Sequence, residues 1–245
     1  MSKTTDCIVL NQVNQFFGSK QVLKDISLAV PSGCIYGILG PSGCGKTTTV
    51  KIMAGILEPT SGETYVLGQR MPRLDLMNQI GYMAQSDALY TVMSAKENLE
   101  FFAALYGMKK DEVPKRIQEV MDLVNLSDDL QKQVYVYSGG MKRRLSLAMA
   151  ILHYPKVLIL DEPTVGIDPL LRKYIWDELY KMADQGVTII VTTHVMDEAQ
   201  KCHQLAMMRD GALIAQGSPQ ELQDQIHVNN IEEAFIYYGG GHHES

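Results

Sequence analysis

The sequence lacks the long apolar segments and the cysteine patterns that mark several classes of protein. Its longest apolar stretches, such as VLIL at 157–160 and VTIIV at 187–191, fall far short of the roughly 18 residues that span a bilayer. The N-terminal MSKTTDCIVLNQ has no charged-then-apolar signal region. The cysteines form no metal-binding spacing and suit reduced thiols: Cys7, Cys34, Cys44 and Cys202. We therefore expect a protein that stays in the cytosol and does not insert into a bilayer.

An excess of positive charge is also missing. Lys and Arg number 22 against 28 Asp and Glu, which gives a formal net charge of −6. A dedicated nucleic-acid-binding protein usually carries a basic excess, so we expect no nucleic acid partner. The composition, 46% hydrophobic and 20% charged, is that of an ordinary globular protein. A chain of 245 residues suits one large domain or a domain with an attached lobe.

Short apolar runs bounded by turn residues predict strands along much of the chain. They lie at 7–10, 26–30, 35–39, 79–84, 156–160, 187–193 and 204–208. The runs at 156–160 and 187–193 are nearly all apolar, which is typical of central parallel strands covered on both faces. Because helical segments alternate with these runs, the sequence predicts an α/β fold with a doubly wound, mostly parallel sheet.

The pattern changes to helix between about 86 and 154. Ser94 and Glu97 have the spacing of a capping box. An apolar stripe at helical spacing follows, formed by Val113, Ile117, Val120, Met121 and Val124. We expect a helical lobe inserted in a domain that spans 1–225. Residues 226–245 are expected to form a short C-terminal helix and a flexible tail, in which His242 and His243 bind no metal.

The segment GPSGCGKT at 40–47 matches G-x-x-x-x-G-K-[ST] and lies between a predicted strand and a predicted helix. Its glycines allow a tight turn whose amides point at an anion, and the following helix adds its positive N-terminal end. Lys46 is expected to reach the β- and γ-phosphates of a nucleotide, and the Thr47 hydroxyl to ligate Mg²⁺. The residues expected to contact the nucleotide are Gly40, Pro41, Ser42, Gly43, Cys44, Gly45, Lys46, Thr47 and Thr48.

Polar side chains end three other predicted strands. Asp161 and Glu162 follow KVLIL, so that Asp161 can hold Mg²⁺ and Glu162 can polarise an attacking water as a general base. Gln85 ends QIGYMAQ, and its amide is a candidate ligand of Mg²⁺ and water together. His194 ends VTIIVTT. Ligands gather at the carboxyl ends of strands in open α/β sheets, which favours a site here, although each residue alone also fits a structural role.

A second candidate anion site precedes the helical segment MKRRLSLAMAIL. Ser138, Gly139 and Gly140 place a small hydroxyl residue and two glycines at the helix start, where backbone amides are available to an anion. An ordinary N-cap would have the same sequence. The basic run KRR at 142–144 is interpreted as a solvated helix face rather than as a phosphate clamp.

The order of these motifs resembles that of the ATP-binding subunits of ABC transporters over nearly the whole chain. GPSGCGKT looks like the Walker A motif, VLILDE like the Walker B motif, and YSGGM at 137–141 like the family signature. By the same resemblance, Gln85 falls at the Q-loop, Asp168 at the D-loop, and His194 at the switch histidine. Phe17 matches the aromatic residue that stacks on adenine.

This resemblance implies a P-loop NTPase core with a mostly parallel sheet, an N-terminal antiparallel β subdomain and the inserted helical lobe. It implies a Mg²⁺-dependent ATPase in which Lys46, Gln85, Glu162 and His194 serve hydrolysis. Two such subunits would dimerise head to tail, with each ATP between the phosphate loop of one chain and the SGG segment at 138–140 of the other. Two copies of this chain are the favoured pair, and a homologous ATPase subunit is the alternative.

The resemblance also implies a separate membrane permease as partner, with this chain peripheral on the cytoplasmic face of the plasma membrane. Tyr137 and Met141 replace the usual Leu and Gln of the signature. Met141 followed by KRRL is similar to the branch that serves exporters of drugs, antibiotics, polysaccharides or lipids. We therefore expect export, with an importer subunit or a soluble non-transport ATPase as alternatives. Segment 86–106, which follows Gln85, is a candidate docking surface or part of the lobe core.

Overall fold

The computed structural model describes residues 6–86 and 88–240. The chain divides into two compact units, the first made of Met1–Leu74 and Thr188–Ser245, and the second of Asp75–Val187. His242 and His243 lie outside the described residues. Within the described ranges, every helix is too short or too polar to cross a membrane.

Both units contain strands as well as helices. The first unit begins with β1 (Asp6–Phe17), β2 (Lys20–Pro31), β3 (Ile35–Leu39), α1 (Lys46–Met53), β4 (Ser61–Val66) and β5 (Gln69–Arg70). The second unit contains β6 (Ile80–Met83), α2 (Ala95–Leu105), α3 (Val113–Leu123), α4 (Gly139–Ile151), β7 (Val157–Asp161) and α5 (Pro169–Asp184). The first unit resumes with β8 (Thr188–Thr193), α6 (Met196–Ala199), β9 (Gln204–Arg209), β10 (Ala212–Gly217), α7 (Pro219–Asp224) and α8 (Ile231–Tyr238).

An antiparallel sheet in the order β2-β1-β4-β5 forms the N-terminal part of the first unit. Strands β1 and β2 are 12 residues each, much longer than the apolar runs at 7–10 and 26–30 that predicted them. Their outer residues alternate between buried and exposed positions, because one face of such a sheet can meet solvent. Strand β4 was not predicted, because its sequence SGETYV is mostly polar and contains no continuous apolar run.

Parallel strands form the rest of the first unit's core. Strand β3 pairs in parallel with β8 and with β9, and β10 closes this edge as an antiparallel partner of β9. Every residue of β8 is buried, as predicted for a central parallel strand at 187–193, and every residue of β3 is buried as well. Leu39 lies opposite Thr193 in the register, so the residues that follow β3 and β8 leave the sheet at the same edge.

The second unit combines a parallel strand pair with helices. Strands β6 and β7 pair in parallel, with Met83 opposite Leu160, and all of β7 is buried. The capping box predicted at the start of α2 is present: Glu97 donates its backbone N–H to the Ser94 hydroxyl, and the Glu97 carboxylate accepts from the Ser94 N–H. The predicted apolar stripe of α3 is buried at Ile117, Val120, Met121 and Val124.

Candidate functional site

The loop between β3 and α1 has the geometry of an anion cradle. Gly43 and Gly45 have φ of 80° and 110°, a conformation that L side chains rarely adopt. A Cβ added to Gly45 would also lie 2.6 Å from Leu23 Cδ2. Within the described residues, no side chain caps the N-terminus of α1, so no capping oxygen competes with an anion for its first amides.

Lys46 is held within this loop. It is the first residue of α1 and only 5% exposed. Its Nζ donates to the carbonyl oxygens of Gly40 at 2.7 Å and Pro41 at 3.1 Å. The ammonium group therefore lies beside the loop amides, where it is placed to attract phosphate oxygens. Because Lys46 is fixed by the loop's own main chain, its position depends on the loop conformation.

The other residues of the loop divide into exposed and buried positions. Pro41, Ser42 and Gly43 are exposed, and Thr47 and Thr48 are half-buried. Cys44 is buried, and burial raises the pKa of its thiol although nearby Lys46 opposes the shift, so it is a packing residue here. Sequence reasoning missed Thr49, which is fully buried and donates its hydroxyl to the Gly45 carbonyl at 3.0 Å. That bond ties the first turn of α1 to the loop.

His194 leaves the sheet beside the phosphate loop, as predicted. Gly40 donates its N–H to the Thr193 carbonyl at 3.3 Å, which joins the start of the loop to the end of β8. The Thr193 hydroxyl donates to the buried Glu198 carboxylate at 2.6 Å and accepts from Val195 N–H at 2.9 Å. These bonds fix the backbone on both sides of the exposed His194.

Phe17 lies at the end of β1, directly before the tight turn to β2. Its side chain is 51% exposed, and the following Gly18 has φ of 60°. An exposed aromatic ring is available for stacking on a planar base.

In the second unit, the structure brings Gln85, Asp161 and Glu162 together at the ends of β6 and β7. Gln85 donates from Nε2 to Glu162 Oε2 at 3.4 Å. Asp161 is fully buried at the last position of β7. Burial raises the pKa of nearby Tyr82 to about 12, and the charge of Asp161 is a second, smaller cause. Glu162 has φ of 52°, a strained conformation for a residue with a side chain that often occurs at functional sites.

The interpretation of the KRR run as a solvated face is wrong for Arg143. This residue is 7% exposed, and its guanidinium donates to the carbonyl oxygens of Ala84 and Gln85 at 2.7 and 2.9 Å. It also donates to the carbonyl oxygens of Asp161 and, at 2.6 Å, Glu162. Helical spacing did not reveal this, because all residues from Leu145 to Ile151 of α4 are buried and the spacing therefore marks no particular face.

The SGG segment forms the start of α4. Ser138 is the N-cap, and its hydroxyl accepts from Met141 N–H at 3.2 Å. Ser138 and Gly139 are exposed, and Gly140 lies close to the carbonyl of Gly166 in the segment that leads to Asp168. Asp168 itself caps α5 by accepting from Leu171 N–H at 3.0 Å.

Tyr137 anchors this segment from the preceding position. Its ring is buried and its hydroxyl donates to the Asp129 carbonyl at 2.8 Å. Burial raises the pKa of Tyr137 to about 12, with the Asp129 charge as a further cause, so the hydroxyl remains a donor. The replacement of the usual Leu therefore keeps an apolar anchor and adds a hydrogen bond.

The candidate metal ligands fit Mg²⁺ by donor type. Thr47 offers a hydroxyl, Gln85 an amide oxygen and Asp161 a carboxylate. Mg²⁺ prefers oxygen donors and is usually bound by one or two carboxylates together with substrate phosphates. The set supplies one carboxylate from the end of a fully buried strand, which suits this mode of binding.

The fold is that of known ATP-binding subunits. A solved structure described as the ATP-binding subunit of an ABC transporter superposes with a TM-score of 0.88 at 24% identity, covering 95% of this chain and 99% of that one. The dimeric ATP-binding cassette MJ0796 bound to ADP and Pi superposes with a TM-score of 0.81 at 26% identity, covering 86% and 98%. The phosphate loop and this fold define a protein of the P-loop α/β class, as predicted.

The chain belongs to the ABC transporter family, whose pattern matches residues 23–165. The Nod factor export ATP-binding protein I of Rhizobium meliloti is 38% identical over 99% of this chain and 72% of its own length. The linearmycin resistance ATP-binding protein LnrL of Bacillus subtilis is 35% identical over 91% of this chain and 76% of its own. These matches confirm the resemblance to the family and to its export branch.

The chain spans less than half of another relative. The probable multidrug ABC transporter ATP-binding protein YbhF of Escherichia coli is 37% identical over 94% of this chain, but the match covers 41% of that protein.

Replacement of Lys46 by Met should weaken nucleotide binding at least about tenfold, because a charge-assisted hydrogen bond worth about 1.5–3 kcal/mol is lost. Titration with a fluorescent ATP analogue measures the affinity. Lys51→Met, in the last turn of the same helix, is the matched control and should bind as the wild type does. Equal affinities of wild type and Lys46→Met would contradict the assigned role.

Proposed function

We propose that the chain is the ATP-binding and ATP-hydrolysing subunit of an ABC exporter, and that it powers a separate membrane permease. The phosphate loop is the observation that carries this proposal. Gly45 at φ of 110°, the uncapped α1 and the buried Lys46 together form a site for nucleotide phosphates. Phe17 would stack on the adenine, and the loop amides from Gly40 to Thr48 would bind the phosphates.

In this proposal each polar strand end has its own part in hydrolysis. Thr47, Gln85 and Asp161 would hold Mg²⁺, which neutralises the phosphate charge that develops during transfer. Glu162 would accept the proton of the attacking water, and Gln85 would orient that water. His194, fixed by the backbone bonds around Thr193, would hold the γ-phosphate by a hydrogen bond.

The second nucleotide contact would come from another copy of the chain. Ser138 and Gly139 are exposed at the N-terminus of α4, a helix of 13 residues whose positive end favours anions. A head-to-tail dimer would place Ser138, Gly139 and Gly140 of one copy, with Asp168 nearby, against the ATP of the other. The dimeric state of the structural neighbour MJ0796 supports the pairing of two copies.

The permease would bind to the second unit, on a surface that includes much of segment 86–106. Backbone hydrogen bonds from Val134 to Met93 and from Tyr135 to Thr91 join the segment before α2 to the segment before α4. These two segments and α2 carry several exposed apolar side chains: Tyr90, Val92, Phe101, Leu105, Tyr135 and Val136. Such a patch marks a protein interaction site in a soluble domain.

A cavity adjoins this surface within the second unit. Its volume is about 140 Å³, and residues of β6, α2 and α4 line it, including Tyr82, Phe102 and Met149. An apolar side chain of a docking helix would fit such a cavity. The permease would hold the chain at the cytoplasmic face of the plasma membrane. The relative named for Nod factor export supports an exporter rather than an importer or a non-transport ATPase.

Glu162→Gln should abolish ATP turnover and keep ATP binding, because the amide preserves the shape of the side chain but accepts no proton. Steady-state phosphate release and nucleotide titration measure the two effects. Glu119→Gln, which alters a surface carboxylate paired with Arg116, is the control and should hydrolyse ATP normally. Turnover near the wild-type rate in Glu162→Gln would show that the base is another group.

Ser138→Arg should block ATP-induced dimerisation, because its bulk and charge would occupy the place of the partner's nucleotide. Ser138→Ala is the matched control, since both variants lose the N-cap bond, worth about 1 kcal/mol, and only one adds bulk. Light scattering with ATP, in the Glu162→Gln background, measures the molecular mass. Dimers of equal stability in both variants would contradict the shared site.

Val92→Asp combined with Tyr135→Asp should release the permease and leave the basal ATPase activity of the free chain unchanged. Purification of the tagged chain from membranes in mild detergent, followed by mass spectrometry, measures the amount of a polytopic membrane protein bound. Leu74→Asp, at an apolar side chain that is 91% exposed in the first unit, is the control. If the double variant co-purifies as much of the membrane protein as the wild type does, the permease binds at a different surface.

A further inference from the structure

The side chain of Arg143 joins two segments that the proposed function treats separately. One terminal nitrogen donates to the carbonyl oxygens of Ala84 and Gln85, and the other donates to those of Asp161 and Glu162. The two segments lie at the ends of the paired strands β6 and β7, with Asp161 as the last residue of β7. A single planar group therefore fixes the main chain at both strand ends.

We propose that Arg143 is a positioning residue for hydrolysis, which holds the backbone of Gln85 and Glu162 in one geometry so that their side chains meet at the attacking water. This inference rests on the proposed function, because it assigns Arg143 a task only if Gln85 and Glu162 act in ATP hydrolysis. In this role Arg143 donates to the carbonyl oxygens of Gln85 and Glu162. It acts through the main chain of both residues.

The geometry of the guanidinium suits this task better than that of any other cation. Its donors lie in a rigid plane and point in fixed directions, so that two pairs of acceptors are held at a set distance from each other. The ammonium group of a lysine has no such fork. It can bond the carbonyl oxygens at one strand end, but it does not reproduce the planar arrangement that spans both.

The acceptors are functional rather than incidental. Glu162 has φ of 52°, and an unfavourable conformation of this kind persists only where surrounding interactions hold it. The Arg143 bond to the Glu162 carbonyl, at 2.6 Å, is one such interaction. The side chains of Gln85 and Glu162 are already 3.4 Å apart, which is the contact that this backbone geometry produces.

Arg143 also connects this pair to the signature helix. It lies on α4, whose first turn begins at Ser138 and contains Gly139 and Gly140. A shift of the start of α4, caused by nucleotide bound to a partner copy, would be passed to Gln85 and Glu162 by the same guanidinium. A positioning role of this kind predicts an effect on turnover that exceeds the effect on nucleotide affinity.

The chain offers a matched control in Arg116. This residue is also largely buried, with 14% of its side chain exposed, and it also donates to two main-chain carbonyls. Those carbonyls belong to Ile151 and Leu152 at the end of α4, away from Gln85 and Glu162. Arg116→Gln therefore removes a buried guanidinium of similar chemistry without touching the candidate site.

The test compares Arg143→Gln, Arg143→Lys and Arg116→Gln as full-length chains. We expect Arg143→Gln to lower kcat about 10- to 100-fold, the cost of a small misplacement of reacting groups, with ATP affinity within about twofold of the wild type. Arg143→Lys should recover part of this loss, and Arg116→Gln should keep kcat within about twofold. If Arg143→Gln does not fold, Arg143→Lys takes its place in the comparison.

A double-mutant cycle separates positioning from a structural role. Each arginine variant is combined with Gln85→Ala, and kcat is measured at saturating Mg²⁺-ATP. If Arg143 acts through Gln85, its loss should cost less in the Gln85→Ala background than in the wild type, whereas the effects of Arg116→Gln and Gln85→Ala should multiply. Multiplicative effects for Arg143, or an unchanged kcat with only a lowered melting temperature, would overturn the inference.

The same measurements distinguish failure of this inference from failure of the proposed function. A wild-type chain that hydrolyses ATP, with a Glu162→Gln variant that does not, leaves the proposed function standing whatever Arg143 does. Absence of ATP hydrolysis by the wild type, or full activity of Glu162→Gln, contradicts the proposed function. The inference about Arg143 is then contradicted as well.

Discussion

The arrangement of the candidate site depends on one constraint, which is that strands buried along their whole length must end before a polar side chain can reach solvent or ligand. Strands β3, β7 and β8 are buried at every residue, and each ends at or directly before a residue of the candidate site. Within each unit the parallel register then aligns these ends. It places the loop after Leu39 beside His194, and Gln85 beside Glu162. Chemistry concentrates at these edges because elsewhere the strands offer only packed apolar surface.

Main-chain oxygens accept hydrogen bonds from both buried cations of the candidate site. Lys46 donates to loop carbonyls in the first unit, and Arg143 donates to carbonyls at the strand ends of the second. Because these acceptors belong to the main chain, the position of each cation depends on the local backbone conformation. This dependence links the local fold of each segment to the proposed chemistry.

Much of the candidate site could be predicted from the sequence because its motifs are local. The phosphate loop needs glycines at fixed spacing before a helix, and the capping box at Ser94 needs only two residues three positions apart. Other features could not be predicted in this way. The polar strand β4 has no apolar run to reveal it, since its pairing with β1 supplies the stabilisation. Arg143 was misread because a basic residue on a helix is usually solvated, and only its packing shows otherwise.

The sequence by itself determined the class of the protein, the order of its motifs and the identity of the residues that can bind a ligand or take part in catalysis. This was possible because glycine spacing, apolar runs and helix caps act over a few neighbouring residues. The tertiary structure decided which of these residues meet. Gln85 and Glu162 are 77 positions apart in the chain and make a contact of 3.4 Å. Arg143, which lies on α4, donates hydrogen bonds to the main chain at both Gln85 and Glu162. Such contacts follow from strand register and helix packing, which depend on residues distant in the chain and therefore leave no local pattern to read.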